Sequence, residues 1–229
     1  MKWRSLDESA AQLDLRPLRE QFAERKRLIA KYALPETQAI HARAIADIRD
    51  SGIVRSALAV GSLAPPFELQ DQNGVNISST EVLRKASLVI CFFRGRWCPF
   101  CVGQLEAMNL LLPQIQEAGA TLFGISPQTV QQSFFMFDQH KLRFPVLSDR
   151  NNETARNFGL VYRVPDYQQA VYRRSFVNLP HLNGDDSWEL PVPATYILDR
   201  DGIVRYAPVN PDYSERPEPA DILENLRRL

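Results

Sequence analysis

Cysteine is scarce in this chain, with three in 229 residues, at positions 91, 98 and 101. That is too few to staple a disulfide scaffold of this size. Histidine is equally sparse, and His41, His140, His181 and Cys91 show no paired spacing that would complete a zinc site around Cys98 and Cys101. Charge of one sign is not in excess either: 27 basic and 27 acidic residues give a formal net charge of zero. This argues against nucleic acid or an anionic membrane as a partner. No uninterrupted apolar run approaches the ~20 residues of a membrane helix. The first residues, Met1 to Glu8, carry acids early and lack the apolar segment of a signal peptide. Repeats, low-complexity tracts and a glycine-rich phosphate loop are also missing. The expectation is a cytoplasmic protein using no metal, flavin or nucleotide cofactor.

What is present is enough apolar residue, 45% of the chain, to bury a full core as one domain with extensions. Before residue 60 the pattern is helical: Leu15, Leu18, Phe22, Ile29 and Tyr32, then Ala44, Ile45 and Ile48 after Pro35. This reads as an N-terminal helical arm over 1–59 packed on the remainder, with a dimerisation element as the alternative and a homodimer as a possible state.

From residue 60 the grammar changes. A loop from Gly61 leads to a short strand, the Asn73-Gly74 turn and a second strand. A short helix is predicted over 80–85, a strand over 87–94, and a helix from Cys98 to about Ala118, with Pro113 implying a kink or break. A strand over 120–125 precedes Ser126-Pro127, read as the cap and first turn of a helix reaching about Lys141. Phe144 to Asp149 gives another strand, and 152–158 a capped helical segment. Residues 160–190 read as irregular. A strand over 194–198, a turn to Gly202, a strand over 203–207 and a terminal helix over 219–228 close the order. This is α/β grammar, with the core strands parallel and the last hairpin antiparallel. It is the order of the thioredoxin fold: a central mixed sheet flanked by helices over 60–229, with an insertion at about 160–190.

The chemistry concentrates in Leu88 to Cys101, where an apolar strand runs straight into Trp97-Cys98-Pro99-Phe100-Cys101 at the start of a helix. Only a thiolate attacks. Pro99 suits the first helical turn and puts Cys98 at the cap, where free N–H groups and the helix dipole favour a negative sulfur. Arg94 and Arg96 add positive charge nearby. The short spacing lets the second thiol resolve a mixed disulfide or a sulfenic acid. Cys91, inside the apolar run, reads as a buried strand residue.

Trp97 to Cys101 after a strand resembles the thioredoxin active-site motif. The flanking pieces resemble the peroxiredoxin branch of that superfamily, the alkyl hydroperoxide reductase/thiol-specific antioxidant (AhpC/TSA) family. These are Gly61 to Leu69, Asn73-Gly74, Phe144 to Asp149 and Ala194 to Gly202. The resemblance spans about residues 60–208 and leaves out the arm and the insertion. It implies a thiol peroxidase that reduces hydrogen peroxide or organic hydroperoxides through a Cys98–Cys101 redox-active disulfide. Electrons would come from a thioredoxin- or glutaredoxin-like dithiol protein.

The chain departs from the family pattern where chemistry is done. The Pro-x-x-x-Thr-x-x-Cys motif falls on Arg94, Cys98 and Cys101, and the family's downstream arginine falls on Pro193. The resemblance makes Cys101 the attacking sulfur and Pro193 a cis proline beside the dithiol. Cap electrostatics instead favour Cys98, so the first attacker stays open. Arg94 is the candidate to replace the missing arginine, and Trp97 reads either as a shield of the dithiol or as packing. The alternative activity is a thioredoxin-type protein disulfide reductase. A redox-sensing interaction module is the third reading. His181, Asp185 and Asp186 form no recognised catalytic grouping, and the aromatics of the insertion read as packing or as a cover of the cleft.

Overall fold

The computed structural model describes residues 14–229, so the reading of the extreme N-terminus lies outside the described residues. Helices α1 (Leu18–Tyr32), α2 (Pro35–Asp50) and α3 (Ile53–Ser56) come first. Strands β1 (Glu68–Gln70) and β2 (Asn76–Ser78) form the hairpin around Asn73-Gly74, followed by α4 (Ser79–Leu83). Then come β3 (Ser87–Phe92), α5 (Pro99–Glu117), β4 (Ala120–Ser126), α6 (Val130–Gln139), β5 (Val146–Ser148) and α7 (Glu153–Asn157). The stretch read as irregular is ordered as β6 (Val161–Arg163), α8 (Asp166–Arg174), α9 (Leu179–Asn183) and β7 (Glu189–Pro191). The chain ends with β8 (Ala194–Leu198), β9 (Val204–Tyr206) and α10 (Pro219–Leu226).

Seven strands form one mixed sheet in the order β2-β1-β5-β4-β3-β8-β9. β3 pairs parallel with β4 and antiparallel with β8, and β8 pairs antiparallel with β9. Strand alternation sorts the core onto two faces. Val89 and Cys91 point into one layer with Leu105, Met108 and Ile115 of α5, while Leu88, Ile90 and Phe92 point into the other with Phe158 and Tyr196. This is the thioredoxin-like arrangement expected from the order of elements.

Several local expectations change. α5 runs unbroken through Pro113. Proline at that position cannot donate to the Asn109 carbonyl, and that oxygen instead accepts a hydrogen bond from Arg143 Nη2 at 2.7 Å. Ser126 stays in β4 and does not cap α6; Thr129 does so, accepting from the Gln132 N–H at 3.4 Å. The insertion owes its order to a small apolar cluster of its own, with Val164, Tyr172, Leu179, Trp188 and Leu190 at its centre.

The arm packs on the body through only part of its apolar stripe. Leu18 and Phe22 of α1 and Ala44 and Ile48 of α2 are buried, whereas Leu15 (77% exposed) and Tyr32 (72%) face outward. Phe22 meets Phe100 edge-on at 5.1 Å between ring centroids. Glycine at 103 allows this approach: a Cβ there would lie 2.9 Å from Phe22 Cε1. Among the described residues no helix is long and apolar enough to cross a membrane.

Candidate active site

β3 delivers the chain to the site. The Phe93 N–H donates to Ile125 O at 2.9 Å, the chain then turns through Arg94 to Trp97, and Cys98 caps α5 with Pro99 in its first turn. Gly95 makes the turn possible. Its φ of +146° is open to glycine, and a Cβ would lie 2.5 Å from Trp97 Nε1, so the indole folds back over it.

Arg94 is buried, 2% exposed, which is unusual for a cation. Its guanidinium stacks 4.2 Å from the Tyr213 ring and 4.7 Å from Trp97, and it donates to the Tyr172 hydroxyl. Its Nε has no partner. The cage is thus aromatic, built from Trp97 of the loop, Tyr172 of α8 and Tyr213 of the C-terminal segment. His41 of α2 backs it, 5.9 Å from Tyr172. Burial and the Arg94 charge push the His41 ring down to about 4, so it stays neutral.

Cys98 and Cys101 lie together within this shell, at 1% and 0% exposure, as free thiols. Burial pushes both thiols up, but three donors act on Cys101: the Cys98 thiol, a guanidinium N–H of Arg216 at 3.5 Å, and the Arg94 backbone N–H. With the charges of Arg216 and Arg94 these act against burial and pull Cys101 below the usual thiol range. Cys98 goes the other way, raised by burial, by its hydrogen bond to Cys101 and by that sulfur's charge. The donors therefore favour a negative sulfur one turn inside the helix over one at its cap. Cys91, paired with Thr195 across β3 and β8, is pushed up to about 12 by burial and stays a thiol.

The structure brings Arg94, Trp97, Cys98 and Cys101 into one cluster. Pro193 joins it at one remove, lining with Thr195, Asn210 and Arg216 a cavity of about 280 Å³. The expected cis bond at Pro193 is overturned, since the described residues contain no cis peptide. Here the chain passes from β7 into β8, its Val192 N–H held by Leu160 O at 2.8 Å, and the ordinary trans preference of a proline bond is kept. Arg96 turns away from the sulfurs, its N–H and Nε donating to Gln128 at 3.0 Å and Gln132 at 2.6 Å. His181 is exposed on α9, Asp185 accepts from Ser187 in a local turn, and Trp188 is stacked by Arg173 at 4.5 Å.

Arg216, Tyr213 and the cage role of Tyr172 were not found from sequence. Arg216 stands 115 positions from Cys101, beyond the reach of any local spacing rule.

The AhpC/TSA family matches residues 60–207 of this chain. A chloroplastic peroxiredoxin Q of Triticum aestivum is 28% identical over 178 residues, covering 77% of this chain and 71% of the relative. The thiol-disulfide oxidoreductase ResA of Geobacillus thermodenitrificans is 25% identical, covering 66% of this chain and 70% of the relative. Other plant peroxiredoxin Q relatives are spanned over about three fifths of their length. The fold is shared with the crystal structure of peroxidoxin BcpB from Mycobacterium tuberculosis, at a TM-score of 0.59 and 21% identity, covering 75% of this chain and 98% of that one. With the strand-to-helix dithiol, the sheet order and a match across most of its length, this chain belongs to the AhpC/TSA family as a peroxiredoxin-like member of the thioredoxin superfamily.

Proposed function

We propose that this protein is a thiol-dependent peroxidase in which Cys101 attacks the hydroperoxide and Cys98 resolves the product. One observation carries the assignment of roles. Arg94 is a buried cation caged by aromatic rings with one nitrogen unpartnered, and a buried charge without a counter-charge costs several kcal/mol. The groups around it able to answer that charge near neutral pH are the two thiols, and the Arg216 N–H that donates to the Cys101 sulfur at 3.5 Å favours Cys101.

In the reaction, the Cys101 thiolate forms an S–O bond as the O–O bond breaks. The sulfur is oxidised by two electrons, and the alkoxide or hydroxide that leaves takes a proton from water. The Cys98 thiol then attacks the sulfenic sulfur, forming the Cys98–Cys101 disulfide and releasing water. A thioredoxin- or glutaredoxin-like dithiol protein returns both sulfurs to thiols. Burial of both sulfurs suits the first step, because N–H donors act more strongly on a developing oxyanion where water is excluded. With few cysteines and a pair that must be reduced at rest, we assign the protein to the reducing cytoplasm. The apolar residues on the outer side of α1, Leu28, Ile29 and Tyr32, support a homodimer.

Peroxide consumption with a regenerating dithiol, together with trapping of sulfenic acid, tests the roles. Cys101→Ser is expected to lose turnover by roughly a thousandfold or more and to form no adduct. Cys98→Ser is expected to keep the adduct and lose recycling. An adduct that survives Cys101→Ser would sink the assignment. The second reading, a protein disulfide reductase, has the ResA relative and the Trp-Cys-Pro-Phe-Cys run behind it. It predicts fast insulin reduction without peroxide turnover.

A further inference from the structure

The family's downstream arginine is Pro193 here, yet a guanidinium still reaches the sulfur. We propose that Arg216, outside the family-matched span, is the activating catalytic cation of Cys101. It holds the thiolate and donates to the oxygen that leaves when the O–O bond breaks. The second part rests on the peroxidase reading; the first does not.

The geometry is specific to this residue. Nη2 of Arg216 donates to Cys101 Sγ at 3.5 Å, Nη1 to the Glu215 carbonyl at 3.0 Å, and Nε is buried with no partner. Among the described residues no carboxylate pairs with Arg216, so its charge is left for the sulfur. The residue also lines the cavity with Pro193, Thr195 and Asn210, and so faces both that space and the thiol. The Nη2 N–H that reaches Cys101 Sγ is the donor beside any oxygen that bonds to that sulfur.

The segment carrying Arg216 is clamped to the arm. Glu218 accepts from the Leu18 and Arg19 N–H groups at 2.9 and 2.7 Å, which caps α1 and places an anion where a helix N-terminus favours one. Glu215 pairs with Lys26 of α1, and Arg25 donates to the Pro99 carbonyl at the head of α5. The arm and the C-terminal segment thus hold in place a cation that the family supplies from within its own fold. The step balances: the thiolate gives two electrons to the peroxide, the sulfenic oxygen comes from the O–O bond, and the leaving oxide is protonated by water while the guanidinium keeps its proton.

Wild type, Arg216→Gln and Arg216→Lys separate the parts. Iodoacetamide labelling of the Cys101 peptide against pH, read by mass spectrometry, gives the thiolate midpoint, and circular dichroism checks the fold. Arg216→Gln is expected to raise that midpoint by about one unit or more and to cut peroxide kcat/KM roughly tenfold or more. Arg216→Lys is expected to recover part of the midpoint, because charge without the planar fork acts more weakly. A Gln variant that keeps the midpoint and peroxide rate within about twofold overturns the proposal. Equal losses in Gln and Lys overturn it too, since shape and not charge would then be at work. If the wild type consumes no peroxide but Gln still raises the midpoint, the peroxidase reading fails and the activating role of Arg216 stands.

Discussion

Two regions meet at Cys101, and they are held together differently. The β3–α5 unit, within the span shared with the family, is local. Its sulfurs, Pro99 cap and Arg94 lie within eight positions of one another, and its strand is locked by parallel pairing with β4 from Ser87↔Ala120 to Phe92↔Ile125. The region outside that span is held by contacts across the whole chain, with Glu218 reaching Leu18 over 200 positions. The first region presents two thiols. The second, with the insertion, supplies Arg216, which reaches Cys101, and Tyr172 and Tyr213, which cage Arg94. A nucleophile is thus specified locally, and its ionisation by the local Cys98 and Arg94 together with the distant Arg216.

The comparison breaks most visibly at Arg94. Arg94→Met replaces a buried cation with an apolar chain of similar length. Thermal stability is expected to hold or rise, as when other buried charges become apolar. Peroxide kcat/KM is expected to fall about a hundredfold as the counter-charge is lost. Parallel melting and stopped-flow measurements check both, and a variant that melts early but stays active would mean that Arg94 is structural. Next in size is Phe22→Ala, which leaves a hole between α1 and α5. It should cost roughly 3 kcal/mol, about 6–12 °C in a chain of this length. Labelling of Cys98 and Cys101 by a bulky disulfide reagent is expected to speed up as the arm loosens. Labelling at the wild-type rate would show that α1 does not cover the thiols.

The smallest effect concerns His41. Its pKa is held down to about 4 by burial and by Arg94, against an ordinary value near 6.5. Between those values the unfolded chain binds the proton and the folded chain does not, so stability falls as pH drops from about 6.5 towards 4. In His41→Gln the fall in Tm across that window is expected to be smaller, by roughly 2–4 °C once solvent screening of the half-buried ring is discounted. Identical pH profiles would place His41 outside the cage's energetics.

Pro193 shows why parts of the site were hidden. A resemblance pointed to a cis bond, but isomer choice depends on where the neighbouring strands run, and here β7 leads into β8 in the trans form. The insertion read as irregular because its helices and strands are short, and it becomes ordered only by burying Trp188 and Tyr172 together. The outer stripe of α1 had helical periodicity without burial, since periodicity reports a helix and not what covers it.

By itself the sequence determined the alternation that splits Val89 and Cys91 from Leu88 and Ile90, the order of strands and helices outside the insertion, and a dithiol opening a helix at Pro99. Each depends on neighbours a few residues apart, through strand pleat, helical turn and proline's fixed φ. Only the tertiary structure decided that the Arg216 guanidinium lies 3.5 Å from Cys101, one turn inside the helix from the cap residue Cys98. Burial opposes charge on the Cys101 sulfur while Cys98, Arg216 and Arg94 favour it, and the nearness of Arg216 exists only once α1 and the C-terminal segment are packed against α5.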